Sequence, residues 1–154
     1  MRFARTIIFA FVASILSFSA AAALSEPPKG FRNLKWGSAP GSGLKKIMGP
    51  TSDGTSMYVP AAGKKLEPLF DIPVVEEGYS YSKGKFFSGS SWLSGSANLE
   101  NMKAALSKVF GPPSFANEQS QIWKWQWPKN KIEIQLYYQA KFSKATVTYL
   151  NNRI

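Results

Sequence analysis

The strongest constraint in this sequence is a run of alternating large apolar and polar residues at positions 121–127. Successive side chains of a β-strand point to opposite faces, so this run predicts a strand with Trp123, Trp125 and Trp127 on one face. Residues 128–131 are typical of a turn, and residues 132–138 then alternate in the same way. The sequence therefore predicts a β-hairpin with one apolar face.

A third alternating run, at residues 144–150, places Ala145, Val147 and Tyr149 on one face. Alternating runs that follow one another after short connections are typical of antiparallel strands. We therefore predict a C-terminal three-stranded β-meander.

Residues 98–110 have the spacing of an amphipathic helix. Asn98 is suited to the N-cap, and Glu100 is predicted to lie in the first turn, where its charge complements the helix dipole. One apolar stripe is formed by Leu99, Met102, Leu106, Val109 and Phe110. Gly111 and the two prolines after it end the pattern, and we expect the helix to pack across the tryptophan hairpin.

Shorter elements are predicted upstream of this helix. Residues 44–48, followed by Gly49 and Pro50, are predicted to form a short N-terminal helix. Strands are predicted around residues 56–59, 72–81 and 85–93. The predicted fold class is therefore α+β, an antiparallel sheet with one principal amphipathic helix packed on one face.

Residues 1–23 have the layout of a secretory signal peptide. Arg2 and Arg5 precede an apolar core at residues 6–18, and the alanines at residues 20–23 suit a signal peptidase. The apolar core is short for a spanning helix, which disfavours an uncleaved anchor. We predict export to the periplasm or medium and a single domain over residues 24–154, with a flexible lead-in at residues 24–30.

Without residues 1–23, the chain has 17 basic and 9 acidic side chains, a formal charge of +8. Outside the cytoplasm, this charge suits an anionic glycan, a lipid headgroup or an acidic protein partner. It also keeps a secreted domain soluble, and the scattered lysines favour this simpler interpretation. An envelope component or exported protein is the predicted partner, nucleic acid is disfavoured, and peripheral membrane contact and the oligomeric state are left open.

The sequence contains no cysteine and no histidine. Disulfides, thiol nucleophiles, the Ser-His-Asp triad and ordinary zinc sites are therefore excluded. We predict no catalytic residue, no metal site and no cofactor. Paired carboxylates can cleave glycans without histidine, so a carboxylate-based glycan hydrolase stays the enzymatic alternative. Glu76 and Glu77 are adjacent, however, and on a strand would point to opposite sides.

Three aligned indoles beside lysines could also form a binding platform for sugar rings or bases. Trp127, at the turn end of its strand, is the indole that we expect to be most exposed, and Lys124, Lys129 and Lys131 are the neighbouring cations. These four residues are the predicted binding site. In the competing interpretation the indoles cover the helix, and we expect at least two of the three in the core.

Four segments of the chain follow one another in a characteristic order. They are the signal peptide, an aromatic-Trp-Gly start at residues 31–38, the helix closed by Phe110-Gly111-Pro112, and the tryptophan strand followed by residues 145–149. In this layout the chain resembles small exported bacterial α+β proteins of unknown function. The resemblance implies an α+β fold and brings no catalytic residue.

The sequence thus predicts an exported, non-catalytic binding or interaction protein of the periplasm or cell envelope. Besides the hydrolase, the remaining alternative is an inhibitor of an exported enzyme. Such an inhibitor would act through a protruding loop such as residues 60–65.

Overall fold

The computed structural model describes residues 25–154, so the predicted signal peptide at residues 1–23 lies outside the described residues. The described chain is mainly one antiparallel sheet of eight strands with an α-helix packed on it, which confirms the α+β class. Within this part of the chain, no helix combines the length and the apolar character that crossing a membrane requires.

In chain order, the elements are β1 (Gly30–Phe31), β2 (Leu34–Lys35), β3 (Leu44–Met48), β4 (Thr55–Pro60), β5 (Glu76–Ser82), β6 (Lys85–Ser94), α1 (Ser96–Phe110), β7 (Phe115–Asn117), β8 (Ile122–Trp127), β9 (Ile132–Gln139), a 3₁₀ helix (Ala140–Phe142) and β10 (Lys144–Asn151). Strands β1 and β2 form a small hairpin of their own. The large sheet has the order β3-β4-β5-β6-β10-β9-β8-β7. It consists of two four-stranded meanders joined where β6 pairs with β10.

The predicted C-terminal meander is confirmed. Strands β8 and β9 pair antiparallel from Ile122 opposite Tyr137 to Trp127 opposite Ile132, and β9 pairs in the same way with β10. The burial of β8 alternates residue by residue, with the three indoles on the buried face. The apolar residues that recur at every second position of the sequence therefore lie on one buried face of the sheet.

The predicted principal helix is also present, but its start and its N-cap differ from the prediction. It begins at Ser96, so Gly95 takes the N-cap and the side chain of Asn98 donates to the carbonyl of Ser94 instead. The earlier start also moves Glu100 out of the first turn. The helix packs on β6, β9 and β10 through Leu99, Met102, Leu106 and Phe110. Val109 is 46% exposed, because it lies at the margin of the stripe in the last turn.

The prediction of a short N-terminal helix at residues 44–48 is wrong. These residues form the edge strand β3, which pairs with β4 from Leu44 opposite Pro60 to Met48 opposite Met57. Five residues cannot offset the cost of nucleating a helix, whereas a strand gains backbone hydrogen bonds from its neighbour. Pairing with the next strand decides the structure here.

Phe31 is the point at which the N-terminal hairpin enters the core. Its ring is 2% exposed and lies 5.9 Å from the ring of Tyr79 and 5.2 Å from that of Tyr149. The ring lies over Gly89 of β6, where a Cβ atom would come within 2.1 Å of it. Residue 89 must therefore be glycine for the hairpin to dock.

We expect Gly89→Ala to lower the free energy of unfolding by about 1–3 kcal/mol, because the added methyl group overlaps the Phe31 ring. Urea denaturation measures the change. Gly41→Ala is the matched control, since a Cβ atom there would meet nothing within 4 Å. In a Phe31→Ala background, Gly89→Ala should lower the free energy of unfolding only slightly. A loss as large as in the wild type would contradict an overlap with the Phe31 ring.

Candidate functional site

A buried carboxylate on β5 is the centre of the most elaborate polar cluster in the described chain. Burial alternates along β5, so Glu77 points inward and Glu76 outward, and the side chain of Glu77 is 6% exposed. Arg32 donates to Oε1 of Glu77 through Nε at 2.8 Å and forms an ion pair with it through Nη2. The hydroxyl of Tyr79 donates to Oε2, and that of Ser91 lies 3.5 Å from Oε1. Every charge in this cluster is therefore compensated.

Arg32 also fixes the long connection between β4 and β5. Its guanidinium donates to the carbonyl oxygens of Glu67 and Pro68, both at 2.7 Å. The planar guanidinium can serve several acceptors at once, which a lysine ammonium cannot do in this geometry. Arg32 stands in the turn between β1 and β2 with a φ of 55°, immediately after Phe31. The docked hairpin thus positions the loop.

Tyr79 serves this cluster as a hydrogen-bond donor. Burial, and then its hydrogen bond to Glu77, raise the pKa of Tyr79 well above the usual value. A phenol in this state keeps its proton at any physiological pH, so it is not a base. The Tyr79 phenol therefore holds the Glu77 carboxylate in place as a donor.

Strands β4 and β5 pair only as far as Tyr58 opposite Tyr79, and beyond this point they part. The far side of the gap is formed by Glu76–Gly78 of β5, which pair with β6 alone. A cavity of about 480 Å³ lies in the gap, since its lining includes residues of both strands. Its walls are mainly apolar, including Met57, Val59, Leu66 and Trp92. We call it the apolar cavity.

A second cavity, of about 300 Å³, adjoins the first. It is lined by Arg32, Glu77, Tyr79 and several charged residues of the loop, and we call it the polar cavity. The two cavities share Pro60, Lys64, Leu66 and Glu77. The two cavities therefore adjoin at the loop, with Lys64 at their junction, and we call the pair the cleft.

The polar cavity of the cleft carries two cations in the loop at residues 60–65 and one exposed carboxylate, that of Glu67. Lys64 and Lys65 are exposed, and neither has an ion-pair partner among residues 25–154. By contrast, Glu77 is neutralised by Arg32, and Glu76 forms an ion pair with Lys144. The cleft can therefore attract an anion.

The expectation that at least two of the three indoles lie in the core is confirmed, and Trp127 is the most exposed of the three but is itself buried. Trp127 is 8% exposed, and Trp123 and Trp125 are 1% and 0% exposed, so all three indoles lie in the core. The Trp127 ring packs edge-on against Phe110 at 5.5 Å, and its Nε1 donates to the carbonyl of Ser25 at 2.6 Å. The end of α1 and the start of the described chain cover this indole.

The structure does not bring the four predicted binding residues together. Lys124 projects from the sheet face opposite to Trp127, 3.8 Å from the carboxylate of Glu133. Lys129 and Lys131 are exposed in the turn after β8. Lys129 lines a shallow cavity of about 430 Å³ together with Trp127.

Sequence reasoning did not select Arg32, Glu77, Trp92 or the loop lysines as candidate site residues. The loop at residues 60–65 was identified, but only as a protruding segment. The burial of Glu77 has one signal in the sequence, its place in the alternating run with Tyr79 and Tyr81. The pairing of Glu77 with Arg32 has none, because 45 residues separate the two.

No group of three or more carboxylates within residues 25–154 is arranged to hold a metal ion. Comparison with models of known families, with curated proteins and with solved structures gives no match to this chain. The functional argument therefore depends on the cleft itself.

We expect Arg32→Met to lower the free energy of unfolding by about 3–5 kcal/mol at pH 7, because it leaves the Glu77 carboxylate buried without its cation. Urea denaturation measures the loss. The double variant Arg32→Met/Glu77→Gln should lose less than Arg32→Met alone, since it buries no uncompensated charge. Equal losses would show that packing, and not charge, is responsible.

Stability should also fall at high pH because of buried tyrosines. Burial raises the pKa of Tyr79 and of Tyr149, whereas in the unfolded chain both ionise near pH 10. The two protonated tyrosines contribute fully to the free energy of unfolding below about pH 10. As the pH rises above this value, the free energy of unfolding falls by about 1.4 kcal/mol per pH unit for each tyrosine. Tyr149→Phe should flatten the fall between about pH 10 and 12 in urea denaturation. An unchanged slope would rule out a contribution from Tyr149.

Proposed function

We propose that this chain is an exported, non-catalytic binding protein of the periplasm or cell envelope. Its binding site is the cleft formed by the apolar and polar cavities, and its target carries negative charge. The observation that carries the proposal is the pair of lysines, Lys64 and Lys65, which have no ion-pair partner in the described chain and line a preformed cleft.

The charge balance of the cleft supports an anionic target. Two of its carboxylates are compensated, Glu77 by Arg32 and Glu76 by Lys144. The third, Glu67, is outnumbered by Lys64 and Lys65. Charges at the wall of a low-dielectric cleft act over several ångströms and raise the local concentration of an oppositely charged ligand.

The chemistry of the cleft favours binding over hydrolysis. A glycan hydrolase needs one carboxyl group that gives up a proton and another that activates water or attacks the sugar. Glu67 and Glu77 line the same cavity, but Glu77 accepts hydrogen bonds from Arg32, Tyr79 and Ser91. These hydrogen bonds occupy both oxygens of Glu77 and support a structural role for this carboxylate.

The inhibitor alternative depends on the same loop. Ala62, Gly63 and Lys64 line the apolar cavity, so the loop forms a wall of the cleft as well as part of the surface. This arrangement supports a role in which the loop surrounds a ligand.

The decisive comparison is between two pairs of lysines. Lys64→Glu/Lys65→Glu reverses the charge of the cleft, and Lys129→Glu/Lys131→Glu makes the same change at the turn beside Trp127. Binding of the purified exported protein is measured on immobilised lipopolysaccharide and on phosphatidylglycerol vesicles, at low and high salt. We expect salt-sensitive binding that weakens at least about tenfold in the first variant and stays near wild type in the second.

The opposite pattern would place the binding site at Trp127, Lys129 and Lys131, as the sequence suggested. An absence of binding both to these anionic surfaces and to a free anionic ligand would overturn the proposed function. Both variants change exposed residues only, so the circular dichroism spectrum should be unchanged and serves as the folding control.

A further inference from the structure

We infer that the cleft binds a free single-chain amphiphile with an anionic head group. The alkyl chain occupies the apolar cavity between β4 and β5, and the head group lies at Lys64 and Lys65. This inference rests on the proposed function and names the class of its ligand.

The apolar cavity has the size and the walls of a small-molecule site. Its volume of about 480 Å³ falls within the usual range for such sites, and Met57, Val59 and Leu66 contribute apolar side chains. Ile47 of the edge strand also lines the cavity and is 55% exposed. An alkyl chain would remove this apolar surface from water.

Trp92 forms one wall of the apolar cavity. It lies on β6 and leans over Gly78 of β5, where a Cβ atom would come within 3.2 Å of the indole ring. Gly78 therefore lets the indole lie close to the strand and leaves room beside it. All five tryptophans belong to the described residues, and Trp92 is the only one that lines this cavity.

The shape of the gap favours an alkyl chain over a peptide strand. The gap extends along Glu76–Gly78 only, which is about 10 Å of β5, and it closes where Tyr58 pairs with Tyr79. A peptide that adds to a sheet needs a longer open edge to form its ladder of hydrogen bonds. A flexible apolar chain needs only the volume.

The charges at the junction fix the orientation of the ligand. Lys64 lines both cavities, and its Nζ atom lies 3.3 Å from where a Cβ atom of Gly43 would stand. Lys65 lines the polar cavity beside it. With Glu77 masked by Arg32, an anionic head group meets the two ammonium groups while its chain points toward Trp92.

The test uses sodium dodecanoate below its micelle concentration and titration calorimetry. Across the series from hexanoate to tetradecanoate, affinity should rise by about fourfold per methylene and then level off when the cavity is full. Dodecyl maltoside has the same chain with a neutral head and should bind at least about tenfold more weakly.

The position of the chain is tested with 12-bromododecanoate, whose bromine quenches a tryptophan that it touches. We expect quenching in the wild type that is lost in Trp92→Phe, while calorimetry shows that the variant still binds dodecanoate. Lys64→Glu/Lys65→Glu should lose at least about tenfold in affinity, and Lys129→Glu/Lys131→Glu should not.

Several results would overturn the inference. Dodecanoate that does not bind, or affinity that does not depend on chain length, would exclude an alkyl ligand. Quenching that persists in Trp92→Phe would place the chain elsewhere. Binding to phosphatidylglycerol vesicles without binding of free dodecanoate would indicate a bilayer surface as the target, and in that case the proposed function would stand while the inference fails. If neither the anionic surfaces nor free dodecanoate bind, the proposed function and the inference both fail.

Discussion

The approach of the Phe31 ring to the bare backbone of Gly89 is the contact on which the candidate site depends. It seats the β1–β2 hairpin against Tyr79 and Tyr149. Because Arg32 follows Phe31 in the chain, the same contact delivers a guanidinium to the buried carboxylate of Glu77. Arg32 then holds the carbonyls of Glu67 and Pro68, so one aromatic contact leads to an ordered loop.

Helix α1 and the N-terminal hairpin cover one face of the large sheet. Trp92 and Gly78, which line the apolar cavity, lie on the opposite face. Near one edge of the sheet, β4 ends at Pro60, which has no N–H to donate to a neighbouring strand. The sheet opens next to this proline, and the loop that follows carries its lysines past the opening.

The sequence was most informative where structure depends on neighbours in the chain. The two-residue period predicted β8, β9 and β10, and the helical period predicted α1, because each pattern reports one buried face. Strand β3 could not be predicted in this way, since its state is decided by pairing with β4.

The candidate site was less accessible to such reasoning. The Arg32–Glu77 pair joins residues 45 positions apart, and the gap between β4 and β5 is a property of the sheet. The full burial of Trp127 has a related cause, because its indole donates a hydrogen bond to Ser25, 102 positions away. The local sequence pattern identifies residues 60–65 as a loop. It does not show that this loop borders the two cavities.

The strand order also has a consequence for how the chain folds. Each meander grows by adding a strand next to the previous one, but the seam between β6 and β10 must close a loop of about 50 residues, from Ser94 to Lys144. Small hydroxyl side chains are prominent in this seam, and Ser90 and Thr148 share a hydrogen bond of 2.8 Å across it. Contacts between residues distant in sequence slow folding, because the entropy of closing the loop is lost before the contacts stabilise the chain. We therefore expect the seam, and not either meander, to limit the rate at which the native sheet forms.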